Sequence, residues 1–463
     1  MTEALTPEPV ESAARKRGWL SFGFAPRFFL ALGIGLIWLV PVWWSIRFLP
    51  LLLVWDALVL AAWCWDLSRL PAPAKLLARR LWTGPITLAR SINAAIEIQQ
   101  SGNWPLQVFA TDELSPALYG VVPQFELVLP AAGKARHEYA IVPRKRGDAT
   151  LGSLFLRYRS AFAFAERWAV APLLQTVCVF PDITEANQQA LYLIRSRQMD
   201  MQKRRRRQPG LGREFESLRD YRTGDDVRDI CWSATARRHE LVTRTFEAER
   251  MQTVWVVIDA GRLLRAEIAR PDQPFRLSKL DYSVNAALSL AQVASQYGDR
   301  VAALAYGRTI QQAIGAGRGP GQVRLWINAL AHVRAETTEA NHALAARALL
   351  QKQTRRALVV WITDFAETPT VPDVVEYAAQ IAKRHLVLFA AVSQPDLAVA
   401  AHQVPRTDRE MYSGAAALAL LQRREVLIRN LRQQGVLAME VTAGKLTTHL
   451  VNEYLAIKDR GML

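Results

Sequence analysis

Between residues 212 and 232 the chain packs its densest polar stretch, and the order of its charges suggests recognition chemistry more than catalysis. Arg219, Asp220, Arg222, Asp225, Arg228 and Asp229 alternate in sign, so they are expected to satisfy one another as a fold-stabilising network; the alternative is a surface that reads a charged partner. Gly224 permits a turn, Asp226 can cap a following helix, and Asp229 lies three residues on, in capping-box spacing. Just upstream run Lys203, Arg204, Arg205, Arg206 and Arg207, five consecutive cations read first as a solvated linker, next as a contact for lipid phosphate or protein, and last as a site for nucleic acid. No aromatic residues interleave that run as a single-strand binder requires, so a membrane-tethered nucleic-acid binder is the disfavoured alternative. An anionic leaflet would contribute roughly 1 kcal/mol for each basic residue that reaches it. The formal charge of +16 agrees with attraction to either anionic surface.

Catalytic spacings are missing. The seven histidines form no His-Glu-x-x-His pair, no Gly-x-Ser-x-Gly elbow is present, and the glycine-rich stretch from Gly315 to Gly321 lacks the Lys-Ser/Thr of a phosphate loop. Cys64, Cys178 and Cys231 are odd in number and far apart, which fits a reducing compartment and no zinc site.

The elements that must carry these residues begin with two apolar runs, Phe28 to Trp44 and Phe48 to Trp65, separated by Ser45, Ile46 and Arg47. At 1.5 Å rise per residue each is roughly 26 Å long, just enough for a hydrocarbon core of about 30 Å. Arg15, Lys16, Arg17 and Arg27 precede the hairpin and Arg69, Lys75, Arg79 and Arg80 follow it, which places both ends in the cytoplasm. Asp56 lies within the second run, where it must be protonated, paired with Arg47, or part of an intramembrane contact. Short apolar stretches broken by turn residues then indicate a small β-sandwich over residues 85–183, with Gly147 in a tight turn. A helical basic linker, 184–211, follows. The last half alternates strands and helices and implies a largely parallel sheet, with an antiparallel edge pair around Gly307 and Arg308. The expected order is a 1–27 cytoplasmic tail, a 28–65 transmembrane hairpin, a 66–84 connector, the sandwich, the linker, and a 212–463 α/β domain with the polar block at its start.

That block, with Glu214, Tyr221, Trp232, Arg237 and the run Thr243-Arg244-Thr245-Phe246-Glu247, closely resembles the signature of the bacterial domain-of-unknown-function-58 family. The resemblance extends over nearly the whole chain, from the hairpin through Val179-Phe180-Pro181 to Tyr454–Gly461. It implies an inner-membrane protein with a von Willebrand factor A-like α/β domain that acts with a MoxR-type AAA+ ATPase on a protein client. Cys231 departs from the family's usual Asp before the Trp. The resemblance also implies a metal site made of an Asp-x-Ser-x-Ser run, a Thr and a second Asp. Here Asp259 is kept, Gly261 and Leu263 replace the hydroxyls, Asp364 supplies the second acid, and the Gly315–Gly321 loop stands where Thr is expected. Mg²⁺ needs about six oxygens, so Asp259 and Asp364 could hold it weakly at best. Neutralisation by Arg262 and Arg318, with no metal and no cofactor, is the expectation. The alternative is a divalent-metal enzyme using the two acids. The favoured reading is a non-catalytic interaction or scaffold protein whose partners are the bilayer, the ATPase and its client.

Overall fold

The computed structural model describes residues 6–118, 122–182, 214–222, 227, 230–247, 252–269, 276–364 and 373–462. They form two units, Met1–Phe180 and Pro181–Leu463.

The first unit is a β-domain with a helical hairpin inserted in it. Strands Val10–Ala13 (β1), Arg15–Lys16 (β2) and Phe22–Phe24 (β3) precede the hairpin. After it come Leu76–Trp82 (β4), Ile92–Gln100 (β5), Leu106–Asp112 (β6), Gln124–Leu129 (β7), Lys134–Ile141 (β8), Gly147–Leu151 (β9), Leu154–Ser160 (β10), Ala165–Ala171 (β11) and Gln175–Val179 (β12). One sheet has the order β1-β4-β5-β8 and another β2-β11-β10-β6-β7, with β3 also on β11. The inner faces bury Leu76, Ile96 and Ile98 with Val108, Leu156 and Tyr158, and alternate residues along β6 point outward, as a two-sheet core requires. Gly147 has φ +93°, the left-handed backbone its turn demands.

Residues 6–24 therefore differ from the expected free tail. Val10–Ala13 pairs antiparallel with Ala78, Leu77 and their neighbours on β4, so both ends of the hairpin are stitched into one domain. Arg80 also departs from its expected place among the membrane flanks. It is fully buried, paired with Asp112 and donating to the Leu173 carbonyl at 2.8 Å. A cation that deep persists because the carboxylate and carbonyl replace its water.

The first apolar run is an interrupted helix: Pro26–Gly35 (α1), a tighter turn at Leu36–Trp38, then Leu39–Trp44 (α2). Pro41 has no N–H and its ring crowds the carbonyl four residues back, at Ile37, which accounts for the interruption. The second run is one helix, Leu49–Arg69 (α3). The helices approach at Gly35, where an added Cβ would come within 2.5 Å of the Trp55 ring, and Trp55 Nε1 donates to the Ala31 carbonyl. Asp56 forms no ion pair with Arg47 among the described residues; it lies beside this Gly35 contact.

In the second unit, Glu214–Asp220 (β13) and Val242–Glu247 (β14) make an antiparallel ribbon of their own, enclosing the helix Trp232–Arg238 (α4). Of the polar block, Glu214–Asp220 thus forms one strand of this ribbon, which pairs with β14 and not with the main sheet. Thr253–Asp259 (β15) starts the main sheet, and a small ribbon, Glu267–Ala269 (β16) with Arg276–Ser278 (β17), follows. Then come Arg300–Tyr306 (β18), Ile310–Gly317 (β19), Leu358–Thr363 (β20), Leu386–Ser393 (β21) and Leu437–Thr442 (β22). The six-stranded order is β19-β18-β15-β20-β21-β22; β18 and β19 are antiparallel and the rest parallel. The edge hairpin expected at Gly307 and Arg308 is present. Every residue of β20 is buried, as expected of a strand covered on both faces. The covering helices are Lys279–Gln296 (α5), Pro320–Ala331 (α6), His342–Lys352 (α7), Asp373–Ala382 (α8), Pro395–His402 (α9), Asp408–Gln433 (α10) and Leu446–Asp459 (α11).

Candidate functional site

Asp259 ends β15 and Asp364 follows β20, so the fold brings both acids to the carboxyl edge of neighbouring strands, where open α/β sheets place ligands. Asp259 is buried; one oxygen accepts from the Gly261 N–H at 2.7 Å and the other from the Thr363 hydroxyl at 2.6 Å. Burial pushes its carboxyl up to about 6 against those two hydrogen bonds, with the charges of Asp364 and Glu336 adding to the rise.

Asp364 is held by two cations. Lys279 Nζ lies 2.7 Å from one oxygen and an Arg424 nitrogen 2.6 Å from the other, while Arg424 also reaches Glu440 at 2.7 Å. Burial opposes the Arg424 charge, but Asp364 and Glu440 outweigh it and hold the guanidinium protonated. Lys279 is the first residue of α5, whose cap is a Ser278–Asp281 capping box. A lysine there faces the positive end of the helix dipole and needs a carboxylate partner. Lys at the first helical position was therefore the signal in the sequence for this contact, and the Arg424 contact, from the middle of α10, left no such trace.

Two expectations for this edge are corrected. Arg262 pairs with exposed Glu339 at 2.8 Å and leaves the acids to Lys279 and Arg424. Arg318 and the Gly315–Gly321 loop lie at the opposite edge, because Gly317 pairs with Val301 at the start of β18. β19 runs antiparallel, so its end returns to the amino side of the sheet. The segment that covers Asp259 is Glu336–Asn341. Glu336 N–H donates to the Ala260 carbonyl at 2.7 Å, and Arg262 N–H donates to the Thr338 carbonyl at 2.9 Å. The Glu336 carboxyl is lowered by the Arg308 N–H that donates to it. An added Cβ at Gly261 would meet the Ala340 nitrogen at 2.8 Å. Glycine is thus required there by close backbone approach, and a serine hydroxyl ligand has no room. Leu263 lies in the short helical turn Arg262–Arg265 and offers no oxygen.

The residues do not fit a divalent ion. The oxygens of both acids are engaged by protein donors, two of them cationic, and the expected hydroxyls are absent. Beside them is a depression of about 700 Å³ lined by Arg262, Arg265, Lys279, Asp364 and Arg424. Below the edge, Trp361 donates to the Tyr306 hydroxyl at 2.8 Å, and that hydroxyl meets His342 Nδ1 at 2.8 Å. Burial pushes His342 down to about 4, so it is neutral at pH 7.

In the polar block, Glu214 and Arg219 fall on β13, Tyr221 N–H donates to the Leu241 carbonyl, and Trp232 and Arg237 lie on α4. Trp232 is 63% exposed, and Leu218, Val227 and Leu241 are exposed on the same ribbon-and-helix element. Cys231 is the N-cap residue of α4 and makes no side-chain cap bond, so the family's Asp at this place would serve as a cap. The helix opens at Trp232, well beyond Asp226. Gly224, Asp225, Asp226, Arg228, Asp229 and the linker with Lys203, Arg204, Arg205, Arg206 and Arg207 lie outside the described residues.

Comparison with known proteins places these features. Uncharacterized proteins Rv1480 of Mycobacterium tuberculosis and Mb1516 of Mycobacterium bovis are each 29% identical over 159 residues, 34% of this chain and 48% of theirs. The chain thus spans about half the length of the curated relatives it matches. Among solved structures, the conserved hypothetical protein BatB from Bacteroides thetaiotaomicron is similar at 14% identity, covering 45% of this chain and 99% of that one, with a TM-score of 0.31. An aerotolerance-related membrane protein from Bacteroides fragilis follows at 13%, 44%, 99% and 0.29, and the SpRpn10 VWA domain at 9%, 44%, 94% and 0.28. The second unit is of the α/β class, with a six-stranded, mostly parallel sheet between helices. Residues 217–401 match the model of the family described as "Protein of unknown function DUF58".

Proposed function

We propose that this protein is a membrane-anchored, non-catalytic interaction module. The observation that carries the reading is the saturation of Asp364 by Lys279 and Arg424 at 2.7 and 2.6 Å, which engages both oxygens of the second expected metal ligand with protein cations. The exposed Trp232 element offers a place for protein contact instead, since tryptophan is enriched where interfaces draw their energy. Anchoring rests on the spans Pro26–Trp44 and Ile46–Arg69, apolar and almost entirely uncovered by protein. Pairing of β1 with β4 supports both ends of the hairpin being on one side of the membrane, and the basic flanks that remain exposed favour the cytoplasm. The partner expected from the family resemblance is a MoxR-type AAA+ ATPase with its client.

Affinity capture of the full chain from native membranes, in magnesium and in chelator, tests the proposal. Retention of an AAA+ ATPase in both conditions supports it. Loss of every specific partner, or a phosphatase or nuclease activity abolished by Asp259→Ala, contradicts it.

A further inference from the structure

The hairpin does not hang from the β-domain by a loose tether. Asp66, in the last turn of α3, is completely buried and accepts from the Ser160 hydroxyl at 2.5 Å and from the Phe164 and Ala165 N–H groups at 3.0 and 2.9 Å. Arg27, at the start of α1, donates to the Ala161 and Phe162 carbonyls, and Trp63 Nε1 donates to the Gly23 carbonyl. Both helices are thus fixed to the loop between β10 and β11 and to β3.

Around this junction is a collar of aromatic rings. Trp63 packs on Phe24 at 4.9 Å, Trp65 on Phe162 at 5.4 Å, and the Arg69 guanidinium is sandwiched between Trp65 at 3.7 Å and Trp104 at 4.4 Å. Phe24, Trp65, Trp104 and Phe162 are each more than two-fifths exposed. Phe162 and Trp104 belong to turns of the β-domain, far in sequence from the helices, yet they extend the apolar surface of α3 without a break. Rings with an apolar body beside a guanidinium suit the headgroup level of a bilayer, where one end is dry and the other wet.

We propose that the β-domain surface bearing Phe162 and Trp104 is seated in the phospholipid interface, so that the domain is held against the bilayer in a fixed orientation. This inference rests on the membrane reading above and goes beyond it: the hairpin would span whether or not the domain touched lipid. The occupant is a lipid surface because the patch is continuous with the two spans and carries its own cation.

The test uses the full chain with Cys64→Ala, Cys178→Ala and Cys231→Ala, reconstituted in phosphatidylcholine–phosphatidylglycerol vesicles. Single cysteines Ala161→Cys and Asn103→Cys, which keep both aromatic rings, carry a fluorescent label. Ile37→Cys reports the middle of the first span, and Leu174→Cys reports the far end of the domain, beyond Ala171 on the strand that starts at Ala165. Spin-labelled lipids are the quencher. The expected result is quenching at 161 and 103 by headgroup-labelled lipid at least twofold above that at 174, with 37 quenched by chain-labelled lipid. Quenching at 37 with 161 and 103 no different from 174 overturns this inference and leaves the anchor intact. No quenching at 37 overturns both.

Discussion

Asp66 and Asp56 belong to the same helix and have opposite surroundings. Asp66 satisfies three donors in a dry site, so Asp66→Ala strands them, at about 1–3 kcal/mol for a buried unsatisfied group. Asp56→Asn should stay within about 0.5 kcal/mol, because no ion pair is lost. Denaturation of the two variants in the same detergent checks the contrast, and equal losses would refute it. The sequence drew attention to Asp56, in the middle of an apolar run, while Asp66 fell at the start of the expected 66–84 connector; its partners lie about a hundred residues away, beyond the reach of local pattern. Asp259 makes a second residue-scale prediction. Its folded value of about 6 is above the ordinary carboxyl value, so the folded state binds the proton more tightly and stability contributed by this group falls as pH rises from about 4 through 6. Asp259→Asn still accepts from Gly261, and the Thr363 hydroxyl can turn to accept from the amide. The variant should therefore show a flatter stability profile across that window than the parent, and an unchanged slope would contradict the assignment.

At the scale of elements, the main strands and helices of the α/β domain were legible because buried apolar runs alternate with amphipathic ones of unambiguous length. Thr253–Asp259 is such a run, buried from Val254 onward, and the edge pair at Gly307 follows from a connection too short for a crossover. The loop over Asp259 was not legible. The family resemblance suggested the glycine-rich Gly315–Gly321, but strand direction assigns that place to Glu336–Asn341, and direction is a property of the whole sheet. β1 to β3 were missed for a related reason: strands of four, two and three residues carry almost no periodicity, and only pairing with distant β4 and β11 makes them strands. Close approach of the loop to Gly261 gives a test. Gly261→Ser restores the hydroxyl of a metal-binding pattern, yet its Cβ has no room beside Ala340, so the melting temperature should fall and magnesium should not restore it. A micromolar magnesium site in this variant, measured by calorimetry, would falsify the metal-free reading of the edge.

At the scale of the molecule, the α/β unit holds a sheet edge where Asp364 is closed by ion pairs, and the ribbon and helix that precede its main sheet leave a tryptophan exposed. Whether the polar block is only structural or is a docking surface decides what the protein does. Exposure at Trp232 favours docking, against the expectation that charges alternating in this way simply satisfy one another. Because Trp232 lies at the solvent face of α4, Trp232→Ala removes contact area without opening a core. The decisive measurement pairs thermal denaturation with capture of the proposed AAA+ ATPase partner for the parent chain and its Trp232→Ala variant, purified side by side. The account predicts melting temperatures within a few degrees of each other and capture weakened at least tenfold, about 1.4 kcal/mol. Capture unchanged at equal stability, or lost only in step with unfolding, would contradict it.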